Sequence, residues 1–301
     1  RVREGRLQEV RGIGPVTAAV VTEAYAGQVP AYLARLADAQ PAPLPPAAAA
    51  LRAALRGDLH THSDWSDGGS PIEEMARTAG ELGHAYLALT DHSPRLTVAR
   101  GLSADRLRSQ LAVVARLNAE LAARGEAVTI LTGIEVDILA DGGLDQDPDL
   151  LDQLDVVVAS LHSDLRADRA VLTRRLLRAV RDPHVAVLGH CTGRLLSGRG
   201  RPESDFDAPA VFAACAEAGV AVEVNCRPER LDPPRRLLRA AVAAGCRFAV
   251  NTDAHAPGQL DWQGLGCVRA AECGVGPEAV VNALPLADLL AWTRRRRRGA
   301  G

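Results

Sequence analysis

The chain has 301 residues, 47% hydrophobic and 24% charged, enough to bury one large core with room for a small appendage. A formal net charge of −2 gives no general drive toward nucleic acid or an anionic membrane, so any such contact has to come from a local patch. No stretch approaches the roughly 20 uninterrupted apolar residues of a membrane span, no secretory signal is visible, and the six cysteines are scattered without a C-x-x-C pair, which reads as reduced thiols in the cytoplasm.

The chain begins at Arg1, its only methionine is Met75, and lysine is absent. The first feature suggests an N-terminus cut from a longer protein, and the last suggests GC-rich coding. Residues 7–27, LQEVRGIGPVTAAVVTEAYAG, read as a short helix, a glycine turn and a second helix. Gly12 and Gly14 permit the tight turn, and Pro15 suits the first turn of the helix that follows. Pro41, Pro43, Pro45 and Pro46 then interrupt any helix, so residues 38–56 are expected to form a linker that can run into a short helix, after an α-helical segment over 1–37.

Beyond the linker, apolar runs of strand length recur at 57–62, 85–91, 128–135, 156–162, 185–190, 220–225 and 247–253. Helical stretches over 71–82, 103–124, 168–181, 207–218, 233–244, 259–273 and 277–293 follow them. Seven βα units with near-continuous apolar strands predict an α/β fold with a parallel sheet, closed or distorted into a barrel over 57–293. The arginine run over 294–298 is expected to be a solvated tail, with residues 299–301.

The polar residues collect where these strands end. Strand one ends in His60 and His62, strand two in Asp91 and His92, and strand three in Glu135 with Asp137 beyond. Strand four ends in His162, strand five in His190, strand six in Asn225, and strand seven in Asp253 and His255. Of eight histidines, only His84 and His184 lie at strand starts. In a parallel barrel the C-terminal strand ends converge on one rim, so this sorting predicts a metal centre there. Imidazole and carboxylate without thiolate suit Zn2+, Mn2+ or Fe2+, and so many donors call for two or three ions.

Neighbouring ions about 3.5–4 Å apart can share a hydroxide and clamp the oxygens of an in-line displacement, which makes phosphoester hydrolysis the favoured reaction. Amide hydrolysis in a metallo-amidohydrolase barrel is the competing use. Its usual bridge, a carboxylated lysine, is excluded by the absence of lysine, which leaves Glu135 as the bridging candidate.

The motifs DLHTHS, TDH, GIE, SLHS, GHCTGR and NTDAH, in this order, resemble the PHP (polymerase and histidinol phosphatase) family. Within it, HSDWSDG, GHCTGRLL, EVNCRPERLD and NTDAHAPGQL are most similar to the PHP domain at the C-terminus of bacterial family X DNA polymerases. The resemblance implies a distorted (β/α)7 barrel and a trinuclear site. It assigns His60, His62, Glu135 and Asp253 to the first ion, and Glu135, His162 and His190 to the second. Asp67, His92 and His255 are assigned to the third.

Asp91 is a candidate to orient a ligand or act in catalysis, and Arg194 and Arg230 are candidates to clamp phosphate. The N-terminal segment resembles a helix-hairpin-helix, whose amides near Gly12 and Gly14 would contact a DNA phosphate. There is no room between hairpin and linker for a polymerase palm, so polymerase activity is not carried over. Three functions stay open: a 3′–5′ exonuclease or 3′-phosphoesterase on DNA, a small-molecule phosphomonoesterase, and a non-catalytic scaffold in DNA repair.

Overall fold

The computed structural model describes residues 1–10, 12–38 and 43–298. It divides into two units, Arg1–Leu44 and Pro45–Gly301. In the first unit a 3-10 turn at Leu7–Glu9 leads to α1 (Pro15–Tyr25) and α2 (Ala31–Asp38). Gly12 takes a φ of +89°, which the tight turn requires, and Gly14 caps α1 ahead of Pro15 at its first position. The Glu23 carboxylate accepts from the Ala31 N–H at 2.6 Å and ties the two helices together.

The second unit opens on α3 (Pro46–Ala54), so most of the expected linker beyond Leu44 is helix. Pro46 stands at the helix start, where its missing N–H costs nothing. Ala48, Leu51 and Leu55 are buried, and the helix packs against a later helix of this unit. Residues 39–42 of the linker lie outside the described residues.

Then come β1 (Gly57–Thr61), α4 (Ile72–Glu81), β2 (Tyr86–Leu89), α5 (Ala104–Ala123), β3 (Thr129–Asp137), α6 (Pro148–Leu151) and β4 (Val156–Ser160). The chain continues through α7 (Arg169–Arg181), β5 (Val187–Leu188), α8 (Ala208–Ala218), β6 (Ala221–Asn225), α9 (Arg235–Ala243), β7 (Arg247–Asn251), α10 (Gln263–Glu272) and α11 (Leu286–Arg298). Strand β5 keeps only two of its six expected residues. The arginine run continues α11 through Arg298 rather than forming a separate tail, since arginine is a good helix former and is favoured near a helix C-terminus. Residues 299–301 lie outside the described residues.

All seven strands are parallel and in sequence order, and β3 joins two halves. Its residues Thr129–Thr132 pair with β2, and Gly133–Asp137 pair with β4. The first and last strands approach at the rim, where the His62 N–H donates to the Ala254 carbonyl at 2.8 Å and Thr61 bridges Ala254. The result is a nearly closed, distorted (β/α)7 barrel, as the strand alternation predicts.

Alternation along β2 shows how it is filled. Tyr86 and Ala88 pack with Val156, Val158, Ala221, Ala249, Leu289 and Trp292, whereas Leu87 and Leu89 pack with Met75, Val114 and Leu117 of the covering helices. Among the described residues no helix is long and apolar enough to cross a membrane.

His84, just before β2, is buried, and burial together with Arg52 lowers its pKa from 6.5 to about 4. A histidine depressed in the folded state stabilises fully above its unfolded value and less as pH falls toward the folded one. From pH 7 to pH 5 the expected loss is about 2 kcal/mol. His84→Gln is expected to remove it, which urea midpoints of wild type and variant at the two pH values check.

Candidate metal centre

Each rim loop is anchored before it delivers a donor. Past β1, the Gly68 N–H donates to the Ser63 carbonyl at 2.9 Å, and a Cβ at Gly68 would lie 2.6 Å from that carbonyl oxygen, so the closure requires glycine. Asp91, just past β2, accepts from the Ser63 N–H at 2.8 Å, the Ser63 hydroxyl at 2.6 Å and the Gln110 amide at 2.7 Å, with Ser66 as a further donor. Asp91 thus holds the loop bearing Asp67 and is turned to that loop rather than to reacting atoms, which corrects its catalytic candidacy. At the other side, Asp58 accepts from the Thr252 N–H at 3.0 Å and its hydroxyl at 2.6 Å. Asp253 follows with φ +55°, a left-handed conformation that Asp tolerates better than most residues.

These anchors bring the strand-end donors onto one carboxylate, Glu135 of β3. Its Oε2 lies 2.9 Å from His92 Nδ1, 3.4 Å from His60 Nε2 and 3.7 Å from His62 Nε2. Its Oε1 lies 2.8 Å from His190 Nε2 and 3.3 Å from His162 Nε2. Asp253 Oδ1 is 3.5 Å from His62 Nε2 and 3.5 Å from His255 Nδ1, and Asp67 Oδ1 is 3.5 Å from His92 Nε2 and 3.4 Å from His255 Nε2. The nine expected ligands therefore form one continuous cluster.

Within it, three overlapping groups place their donor atoms within 4.8 Å of one another: His62, Asp67, His92 and His255; His60, His62 and Glu135; and His92, Glu135 and His162. The grouping joins His62 to the expected third set and His92 to the expected second one. Asp253 and His190 touch members of these groups without belonging to one.

The donor atoms match divalent ions. His60 Nε2, both nitrogens of His62, His92 Nδ1, both nitrogens of His162, His190 Nδ1 and Glu135 Oε1 are buried with no hydrogen-bond partner. So many buried polar atoms without partners in one place would be costly unless cations take up the lone pairs among them. Burial opposes the charge of Glu135, but His60, His162 and His92 outweigh it and hold the carboxyl well below its usual range. Burial likewise pushes His62 well below its ordinary value, helped by His255 and His92. For His162 burial is outweighed by Glu135 and Asp137, which carry it up to about 9.

Two arginines border the cluster. Arg230 Nε donates to Asp253 Oδ2 at 3.1 Å, and Arg227 Nη1 lies 3.1 Å from His255 Nδ1. Arg194 does something else: its Nε donates to the Arg230 carbonyl at 2.9 Å, its Nη2 to the Leu231 carbonyl, and its Nη1 pairs with Glu203 at 3.4 Å. Arg194 braces the loop that carries Arg230, which corrects its candidacy as a phosphate clamp.

Sequence reasoning passed over Glu223, buried at 1% exposure in the middle of β6, whose carboxylate meets His60 Nδ1 at 2.7 Å. The signal was present in the run AVEVN, where a charged residue stands two positions before Asn225 on an otherwise apolar strand. Gly12 and Gly14 belong to the first unit, at the turn and cap before α1.

A nearly closed parallel barrel with these donors at the C-terminal rim defines a metal-dependent phosphoesterase. The chain belongs to the PHP-domain family, whose model matches residues 58–227. It is 40% identical over 241 residues to the DNA polymerase/3'-5' exonuclease PolX of Bacillus subtilis, a match covering 80% of this chain and 41% of that longer protein. It is 30% identical over 209 residues to a "Probable phosphatase" of Thermoanaerobacter sp. strain X514, covering 66% of this chain and 78% of that one. A solved Listeria monocytogenes structure described as a "putative histidinol phosphatase" shares the fold, with a TM-score of 0.52 at 17% identity over 68% of this chain and 97% of that one.

Proposed function

We propose that this chain hydrolyses phosphoric esters at DNA 3′ ends, as a 3′–5′ exonuclease or 3′-phosphoesterase, with two to three divalent ions drawn from Zn2+, Mn2+ and Fe2+. The observation that carries hydrolysis is the convergence of five imidazoles on the buried carboxylate of Glu135. DNA is favoured by the relative named as a polymerase and 3'-5' exonuclease, and by the glycine turn that opens α1.

His60, His62, Glu135 and Asp253 would hold one ion, Glu135, His162 and His190 a second, and Asp67, His92 and His255 a third. When bound, such ions supply Lewis-acid polarisation of phosphoryl oxygens and acidify water. The protein's own residues set the direction of approach. Asp67 is 36% exposed and His255 15%, whereas His60 and Glu135 are at 0% and 1%, so the substrate enters from the Asp67 side.

Arg227 and Arg230 border Asp253, and Arg230 Nη1 is buried without a partner among the described residues, so both can receive phosphate oxygens. In the first unit, amides near Gly12 and Gly14 at the start of α1 would hold a DNA phosphate.

A small phosphomonoester is the second reading, favoured by the relative named as a probable phosphatase. A 5′-labelled duplex with a recessed 3′ end, incubated with Mn2+-loaded protein and with a chelated control, tests both. A metal-dependent ladder shortening from the 3′ end is the expected result. An intact strand beside rapid hydrolysis of p-nitrophenyl phosphate would transfer the assignment to small esters, and inertness toward both would overturn the hydrolytic reading.

A further inference from the structure

The carboxylate of Glu223 is encircled by donors. Its Oε1 accepts from His60 Nδ1 at 2.7 Å and from the Asn251 amide at 3.0 Å. Its Oε2 accepts from the His190 backbone N–H at 2.8 Å and from the Asn225 amide at 3.1 Å. The orientations of both asparagines are fixed independently. Asn251 Oδ1 accepts from the Leu59 N–H at 3.2 Å, and Asn225 Oδ1 from the Arg227 N–H at 3.1 Å, so in each case the NH2 group faces Glu223.

A backbone N–H can only donate. Three of the four neighbours therefore present hydrogens, and the carboxylate serves as an acceptor at both oxygens. Its partner on the fourth side must also donate, which places a proton on His60 Nδ1. The lone pair of a neutral His60 is then left on Nε2, the buried and partnerless atom that faces Glu135. The same carboxylate fixes the backbone of His190, whose ring meets the other oxygen of Glu135 at 2.8 Å.

We propose that Glu223 is a positioning residue for the metal centre: by accepting from His60 Nδ1 and the His190 backbone it fixes one ring's tautomer and the other ring's station, and so presents both imidazoles for ligation. Of the remaining ligands, Asp67, His92 and His255 make none of these bonds, and they share no assigned ion with His60 or His190. The inference rests on the metal-centre reading and goes beyond it by tying one buried side chain to two ligands and not to the rest.

Glu223→Gln tests it, because the amide keeps the volume but turns an NH2 group toward donors that need an acceptor. Zn2+ titration against a competing chelator, with metal counted per chain, is expected to show a loss of about 10–100-fold in affinity at the positions that use His60 and His190. The one remaining position, at Asp67, His92 and His255, keeps wild-type affinity. A uniform weakening of all bound metal, or wild-type affinity throughout, would overturn the proposal while leaving the metal centre intact. Wild-type protein that binds no metal would overturn the metal-centre reading itself, and this one with it.

Should Glu223→Gln not fold, Glu223→Asp retains the acceptor and retracts it by one methylene. The same selective loss is expected from the folded variant, and wild-type metal binding by it would overturn the proposal.

Discussion

Glu135→Gln is expected to lower kcat/KM for phosphoester hydrolysis by at least about 10^3-fold, since metal-based charge stabilisation supplies several kcal/mol and each 1.36 kcal/mol is tenfold in rate. Every candidate ion in the expected allocation except the one at Asp67 draws on Glu135, whose two oxygens face His190 at 2.8 Å and His92 at 2.9 Å. Glutamine keeps the volume at a site with 1% exposure, so the barrel is expected to fold. What it removes is the negative charge beside five imidazoles. Metal content should fall with activity, and circular dichroism should keep the wild-type spectrum. Activity within tenfold of wild type at full metal content would rule out Glu135 as the shared ligand.

The importance of Glu135 was legible because it is the acid of GIE, closing the apolar run expected as strand three, and six histidines were expected at strand ends too. Strand-end placement reads directly from sequence, since apolar runs of strand length stop where polar residues begin. The deeper layer is not legible in that way. Glu223 sits mid-strand, and a charged residue between valines reads as ordinary alternation until the fold turns both faces of β6 inward, where all five residues are buried. Arg194 failed for a related reason. Its sequence neighbours, GHCTGR, lie on the rim, but the side chain is taken by the carbonyls of Arg230 and Leu231, contacts across 36 and 37 positions that no local pattern encodes.

Two elements have local causes. The alanine-rich stretch after Pro46 is the short helix into which the linker was expected to run: four prolines precede or open it, but proline at a helix start is favourable, and Leu51 at 1% exposure shows the helix seated on its own unit. Strand β5 loses two residues at each end of the expected run, and Gly189 follows it where a Cβ would come within 2.3 Å of the Ser160 hydroxyl. The strand ends early, and His190 comes to the rim on a loop that Glu223 and Asp232 hold. Asp232 accepts from the Thr192 N–H at 3.2 Å and from its hydroxyl.

Chelation provides the second large effect, on stability. Removing the ions leaves buried donors without partners, among them both nitrogens of His62 and both of His162. An ion that binds only the folded chain stabilises it by about 4 kcal/mol when its free concentration is a thousandfold above Kd. For a unit of this size about 1 kcal/mol moves Tm by roughly 2–4 °C. Two ions at that saturation should therefore raise Tm by at least about 15 °C over the chelated protein. Adding Mn2+ or Zn2+ back should restore both melting temperature and hydrolysis. In Glu135→Gln the same treatment should move Tm far less, because the ions it would remove are held weakly to begin with. A wild-type Tm that stays within about 3 °C after verified removal of bound metal would mean that the orphaned donors are satisfied by some means other than ions, and the polynuclear reading would fall with it.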